Sequence, residues 1–104
     1  MEVNMLPYAM LARFIIPVML ERNTRSGIIF VSSLGIEMSC TPINAIYMAT
    51  KAFDDSLSRG LAYEFESKID IMSLKPGYVE SNMSKMKKGL EAISAKESAS
   101  SALN

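Results

Sequence analysis

Tyr47 and Lys51 stand four residues apart in INAIYMATKAFDD, a spacing that brings two side chains to one face of a helix a single turn apart. A phenol with its ordinary pKa of about 10 exchanges protons poorly at neutral pH. A fixed cation beside it stabilises the phenolate and brings proton transfer into the working range. Ser32 and Ser33 close the apolar run GIIFV, and the carboxyl end of a strand is where open α/β sheets bind ligands. A hydroxyl there can polarise a carbonyl whose oxygen Tyr47 protonates. The chain has one cysteine, Cys40, and no histidine. A disulfide framework, a Cys/His zinc site and a His-based triad are therefore excluded within it, and no metal is expected. The chemistry falls to Tyr, Lys, Ser, Asn and carboxylates.

These side chains need elements to hold them. Between residues 5 and 22, Leu6, Met10, Phe14 and Val18 recur at every fourth position with Arg13 and Glu21 off the stripe, which predicts an amphipathic helix. Pro7 is tolerable near its start, and Pro17 predicts a kink or a break. Ile28 to Val31 form a continuous apolar run, the pattern of a central parallel strand, 28–33, covered on both faces. LGIEMSCTP, 34–42, mixes Gly, Ser, Thr and Pro without a period and reads as a loop. Over 43–68, Ile46, Ala49, Phe53, Leu57, Leu61 and Phe65 recur at steps of three or four, a helix of about seven turns. Ile69 to Leu74 then read as a strand stopped by Pro76 and Gly77. Helix, strand, helix, strand is half of an α/β sandwich with a right-handed crossover through the long helix. Two parallel strands do not close a core alone. Lys85, Lys87 and Lys88 read as a solvated loop, followed by a weak helix over 95–103.

Composition bounds the function classes. With 104 residues, 49% of them hydrophobic, and eleven Lys plus Arg balancing eleven Asp plus Glu, the chain reads as one small globular unit rather than a disordered one. It has no basic excess, so no nucleic-acid partner is expected. The uncharged stretches Phe14 to Leu20 and Met38 to Thr50 are too short or too polar to cross a bilayer, which takes roughly 20 apolar residues. Met10, Met19, Met48 and Met72 read as core filling. Asp55 and Arg59 form an i,i+4 pair, so Asp54 and Asp55 read as part of a surface ion ladder, with Asp55 turned away from Lys51. Lys75 reads as solvent-directed and Cys40 as an inert thiol.

Together, Asn4 within EVNML, GIIFVSSLG, YMATKAF and LKPGYVESNM resemble the motifs of the short-chain dehydrogenases/reductases, in that family's order. LPYAMLARFIIPVML, YMATKAFDDSLSRGLAYEFESK and the closing Val79, Ser81 and Met83 are most similar to the branch holding 17β-hydroxysteroid dehydrogenases and very-long-chain 3-oxoacyl-CoA reductases. The resemblance implies that Tyr47 is the general acid/base, that Lys51 stabilises its phenolate and hydrogen-bonds the nicotinamide ribose, and that Ser33 orients the substrate oxygen. It also implies that Asn4 supports a proton-relay water and that Pro76, Gly77, Val79 and Ser81 line the nicotinamide. Ser33 lies fourteen residues before Tyr47, where the family usually has thirteen and this chain has Leu34. Either the intervening loop holds one extra residue or the serine role falls elsewhere.

The implied fold is α/β, the second half of a Rossmann-like doubly wound parallel sheet. Residues 1–104 would be the catalytic C-terminal portion, lacking the N-terminal dinucleotide-binding half. Gly27, Gly35, Gly60, Gly77 and Gly89 are scattered and make no phosphate-binding turn. The implied reaction interconverts a hydroxyl and a ketone on a lipid, a steroid or a 3-oxoacyl-CoA, with NADP(H) in preference to NAD(H), in the endoplasmic reticulum or cytoplasm. The implied assembly is a homodimer through helices 5–22 and 43–68. If the protein exists only as these 104 residues, it is expected to neither bind dinucleotide nor turn over. The alternative is then a noncatalytic fragment acting as a helix-mediated dimerisation module.

Overall fold

A computed structural model describes residues 3–38, 44–81, 85, 89 and 92–103. Helix α1, Leu6–Leu20, leads into strand β1, Ser26–Val31, and a 3-10 turn over Leu34–Glu37; helix α2, Ala45–Phe65, is followed by strand β2, Ile69–Leu74. Two short strands, β3 (Tyr78–Val79) and β4 (Ala92–Ile93), precede helix α3, Ala95–Leu103. β1 and β2 pair in parallel, with Ser26 opposite Ile69 and Val31 opposite Leu74. β3 and β4 form a second, two-residue parallel pair. The expected β2 and α3 match to the residue. α3 starts on a reciprocal cap: the Ser94 hydroxyl accepts from the Glu97 N–H, and the Glu97 carboxylate accepts from the Ser94 N–H and hydroxyl.

α1 runs unbroken through Pro17, so the proline does not break the helix. The proline's missing N–H leaves one carbonyl unpaired, which a surface helix can satisfy with water. The buried face also differs from the expected stripe. Ala12 and Ile16 are buried and Tyr8, Met19 and Leu20 pack beside them, whereas Leu6, Met10, Phe14 and Val18 are exposed. Two apolar stripes lie side by side on this helix, and every-fourth spacing does not say which one meets the sheet.

The core is small: Ala12, Ile16, Phe30 and Ile69, with Leu57, Leu61, Phe65, Ile28 and Ile71 partly buried against it. Both long helices contribute to this one cluster, and the opposite face of the sheet shows Ile29, Val31 and Met72 exposed. The two-sided cover expected for β1 is therefore present on one side among the described residues. Met10 and Met72 are exposed rather than core, while Met19 and Met48 are half-buried.

This asymmetry gives a measurable contrast. Ile69→Val removes one methylene from a side chain that is 1% exposed and is expected to cost about 0.5–1.5 kcal/mol of unfolding free energy. Met72→Thr, on the open face, is expected to stay within about 0.5 kcal/mol. Urea midpoints followed by circular dichroism check both.

The buried face of α2 is the largest departure from the hydrophobic reading. Thr50, Lys51, Asp54, Asp55 and Ser58 are all buried, while Ile46, at the start of the expected apolar stripe, is 71% exposed. Asp54 and Asp55 are thus interior groups rather than members of a surface ladder. The first half of the helix meets the sheet through polar side chains and the second half through Leu57, Leu61 and Phe65.

Candidate active site

The polar face of α2 lies against the carboxyl end of β1. The Lys51 ammonium donates to the Val31 carbonyl oxygen at 2.8 Å and to Asp54 Oδ2 at 3.3 Å, and it sits 5.1 Å from the centroid of the Tyr8 ring. The Tyr8 hydroxyl donates to the same Val31 carbonyl at 3.3 Å, and its ring stacks obliquely on Phe30 at 5.9 Å. The Ser32 hydroxyl is buried and donates to the Lys51 carbonyl oxygen at 2.7 Å. α1, α2 and β1 are thereby tied together at one strand end.

Tyr47 lies one turn before Lys51 and is 44% exposed; among the described residues its hydroxyl is not engaged in a hydrogen bond. Its carbonyl oxygen accepts from the Thr50 hydroxyl at 2.7 Å, and Thr50 Oγ1 accepts from the Asn4 amide at 3.2 Å. Asn4 is thus linked to the same turn of α2 that carries Tyr47 and Lys51. Ser33 caps the 3-10 turn, its hydroxyl accepting from the Gly35 N–H at 3.2 Å. The Leu34 N–H donates to the Pro76 carbonyl at 3.0 Å, which brings the segment after β2, with Pro76 and Gly77, beside that turn. Val79 lies in β3 and Ser81 follows it. Lys51, Ser33 and Pro76 therefore lie at the carboxyl edge of the parallel pair, and Asn4 is tied to the turn of α2 that separates Tyr47 from Lys51. Cys40, Met83, Lys87 and Lys88 lie outside the described residues.

Asp55 does turn away from Lys51, as expected. It pairs with Arg59 at 3.1 Å and with Lys75 at 3.4 Å, and Lys75 also meets Glu37 at 2.5 Å. Lys75 is therefore an ion-pair partner rather than solvent-directed, because two carboxylates from different elements converge on it. The competing carboxylate beside Lys51 is Asp54 instead. Its neighbour on the same buried face was legible only as a generic charge, since hydrophobic periodicity does not foresee an interior acid.

Burial pushes the Asp55 carboxyl up, but Ser73, Lys75 and Arg59 together hold it below the ordinary carboxylate value. Its stabilising contribution is complete above the ordinary value of 3.8 and is lost as the pH falls through the lowered value of the folded state. Asp55→Asn is expected to flatten that acid limb of the unfolding curve, read by circular dichroism at descending pH. The Arg25–Asp70 pair at the other end of the strands acts in the same sense, with Asp70 lowered by its hydrogen bond to Arg25.

The residues present fit part of a nicotinamide cofactor. A lysine carries three donors, of which two are engaged here, so one remains for a ribose hydroxyl. The glycines offer no cradle for a pyrophosphate, and none of those described has a positive φ.

The chain belongs to the short chain dehydrogenase family, whose model matches residues 1–91. It is 40% identical over 88 residues to the very-long-chain 3-oxoacyl-CoA reductase of Anas platyrhynchos, covering 84% of this chain and 28% of that protein. It is 37% identical over 83 residues to the inactive hydroxysteroid dehydrogenase-like protein 1 of Homo sapiens, covering 79% of this chain and 24% of that one. The chain thus spans about a quarter of the length of these relatives. Among solved structures it is similar to the NADPH-bound carbonyl reductase from chicken fatty liver, with a TM-score of 0.71 at 19% identity, over 93% of this chain and 42% of that one. That likeness establishes the fold: the parallel pair and its helices are part of a Rossmann-like α/β sheet. No helix among the described residues is long and apolar enough to cross a membrane.

Proposed function

We propose that this chain is the proton-transfer portion of an oxidoreductase that interconverts a hydroxyl and a ketone on a lipid-type substrate, a 3-oxoacyl-CoA ahead of a steroid. The observation that carries the reading is the placing of Lys51 and the Ser32–Ser33 pair at one carboxyl strand edge, with Asn4 tied through Thr50 to the turn of α2 between Tyr47 and Lys51, in a chain 40% identical to a reductase of that substrate class. Tyr47 gives or takes the proton at the substrate oxygen, Lys51 fixes a positive charge beside it, and Ser33 orients the oxygen. Asn4 holds the same helical turn through Thr50. Lys51, Pro76, Gly77, Val79 and Ser81 would hold the nicotinamide end of a dinucleotide, NADP(H) in preference to NAD(H). When bound, that group supplies or accepts the hydride.

In this reading residues 1–104 form the C-terminal catalytic portion, and the pyrophosphate-binding half lies in a longer protein. Fusing that half of the duck reductase ahead of residues 1–104 tests it. NADPH fluorescence should respond to the fusion and not to the 104-residue chain, and the fusion should oxidise NADPH when given a 3-oxoacyl-CoA. A fusion that binds NADPH but leaves every 3-oxoacyl-CoA and steroid ketone unreduced defeats the reading.

A second reading has its own support. Leu6, Met10, Phe14 and Val18 make a continuous exposed apolar stripe on α1, and Ile46 and Tyr63 are exposed on α2. Such surface favours pairing with a second copy, and a relative named inactive lies at 37% identity. As a noncatalytic dimerisation module, the chain would run as a dimer on sizing, with NADPH fluorescence unchanged.

A further inference from the structure

Asp54 is the most deeply buried ionisable residue described, at 0% exposure, and the proposed reaction assigns it nothing. One carboxylate oxygen meets the Lys51 ammonium at 3.3 Å; the other, Oδ1, is buried without a hydrogen-bond partner. An aliphatic side chain of similar size would fill this place without the desolvation that a carboxylate suffers. The half-satisfied acid is therefore an expensive occupant whose one polar contact is the lysine beside Tyr47.

We propose that Asp54 is a positioning residue for Lys51: it draws the ammonium toward the sheet, onto the Val31 carbonyl, and offsets part of the charge that Tyr47 would otherwise feel. This rests on the reading of Tyr47 as the proton-transfer group. The geometry has a direct consequence. Two of the three ammonium donors point to Asp54 and Val31, so the acid and the strand carbonyl together anchor the lysine against the sheet. The acid thus sets both where the cation stands and how much of its field reaches the phenol one turn earlier.

The groups facing the pair from neighbouring elements are few. α1 presents the Tyr8 ring and hydroxyl, and β1 presents the Val31 carbonyl and, just beyond its end, the Ser32 hydroxyl. On α2 itself, Asp55 is engaged by Arg59 and Lys75. Among the described residues of α1 and β1, Tyr8 is the titratable side chain that meets the pair. Burial raises the Asp54 carboxyl against the opposing pull of Lys51, so the acid titrates above the ordinary carboxylate value.

The test needs no turnover, so its outcome is separable from that of the reaction proposed above. Tyrosinate absorbance of the 104-residue chain is titrated with base, and the Tyr47 step is isolated by difference from Tyr47→Phe. Asp54→Asn is expected to move that step to lower pH by about half a unit or more. An unmoved step in folded Asp54→Asn overturns the proposal. Should Asp54→Asn fail to fold, nitrogen NMR of Lys51 Nζ in the unmodified chain decides. A resonance that moves with the Asp54 carboxyl titration supports the proposal, and a resonance flat across that range overturns it.

Discussion

Tyr47→Phe in the fused reductase is expected to lower kcat by about 10²–10⁴-fold while leaving dinucleotide binding and the fold unchanged. The phenylalanine keeps the ring and loses only the hydroxyl, which is 44% exposed as part of Tyr47 and hydrogen-bonded to none of the described residues. No structural bond is lost, so a fall in rate reports chemistry rather than folding. The contrast is Tyr8→Phe, which removes a hydroxyl that does have a partner, the Val31 carbonyl at 3.3 Å. That carbonyl keeps its bond from Lys51, so Tyr8→Phe should cost only about 0.5–1.5 kcal/mol of stability, with kcat changed a few-fold at most. Equal losses from both variants, or retained turnover in Tyr47→Phe, would defeat the assignment of the proton to Tyr47.

The tyrosine and lysine were legible because their spacing is a helical one and the helix around them is strongly patterned. β2 was legible because Ile69 to Leu74 is bounded by Pro76 and Gly77, and α3 only as a weak helix, whose Ser94–Glu97 cap the structure supplies. What the pattern concealed is which face each helix turns inward. On α1 the stripe through Leu6, Met10, Phe14 and Val18 is as apolar as the one through Tyr8, Ala12, Ile16 and Leu20, and only the sheet chooses between them. On α2 the inward face is polar for its first half because Lys51, Asp54 and Asp55 find partners there: Val31 and each other for the first two, Arg59 and Lys75 for the third. A hydrophobicity count ranks such positions as surface. The Tyr8–Val31–Lys51 junction was equally hidden, since it joins residues from three elements through a main-chain carbonyl that has no signature in sequence.

The same junction sets the largest expected change in stability. Lys51→Met removes the one hydrogen-bond partner of a carboxylate that is 0% exposed, leaving Asp54 buried and unpaired at neutral pH. The expected loss is about 3–5 kcal/mol, enough to unfold a chain whose described buried apolar core is Ala12, Ile16, Phe30 and Ile69. The pH dependence identifies the cause. Burial already raises the Asp54 carboxyl, while Lys51 pulls it down through its hydrogen bond and charge; without the lysine, the folded value rises further. An acid raised on folding binds more protons folded than unfolded, so stability falls as the pH climbs from the ordinary value of 3.8 through the raised one. The deficit of Lys51→Met should therefore shrink on acidification toward that range, opposite in sign to the loss that Asp55 and Asp70 bring at still lower pH. Adding Asp54→Leu should recover most of the neutral-pH stability by replacing a stranded charge with apolar volume. Urea midpoints of the single and double variants, with unchanged slopes, measure this. A Lys51→Met chain as stable at neutral pH as the parent would mean that Asp54 draws its support from elsewhere.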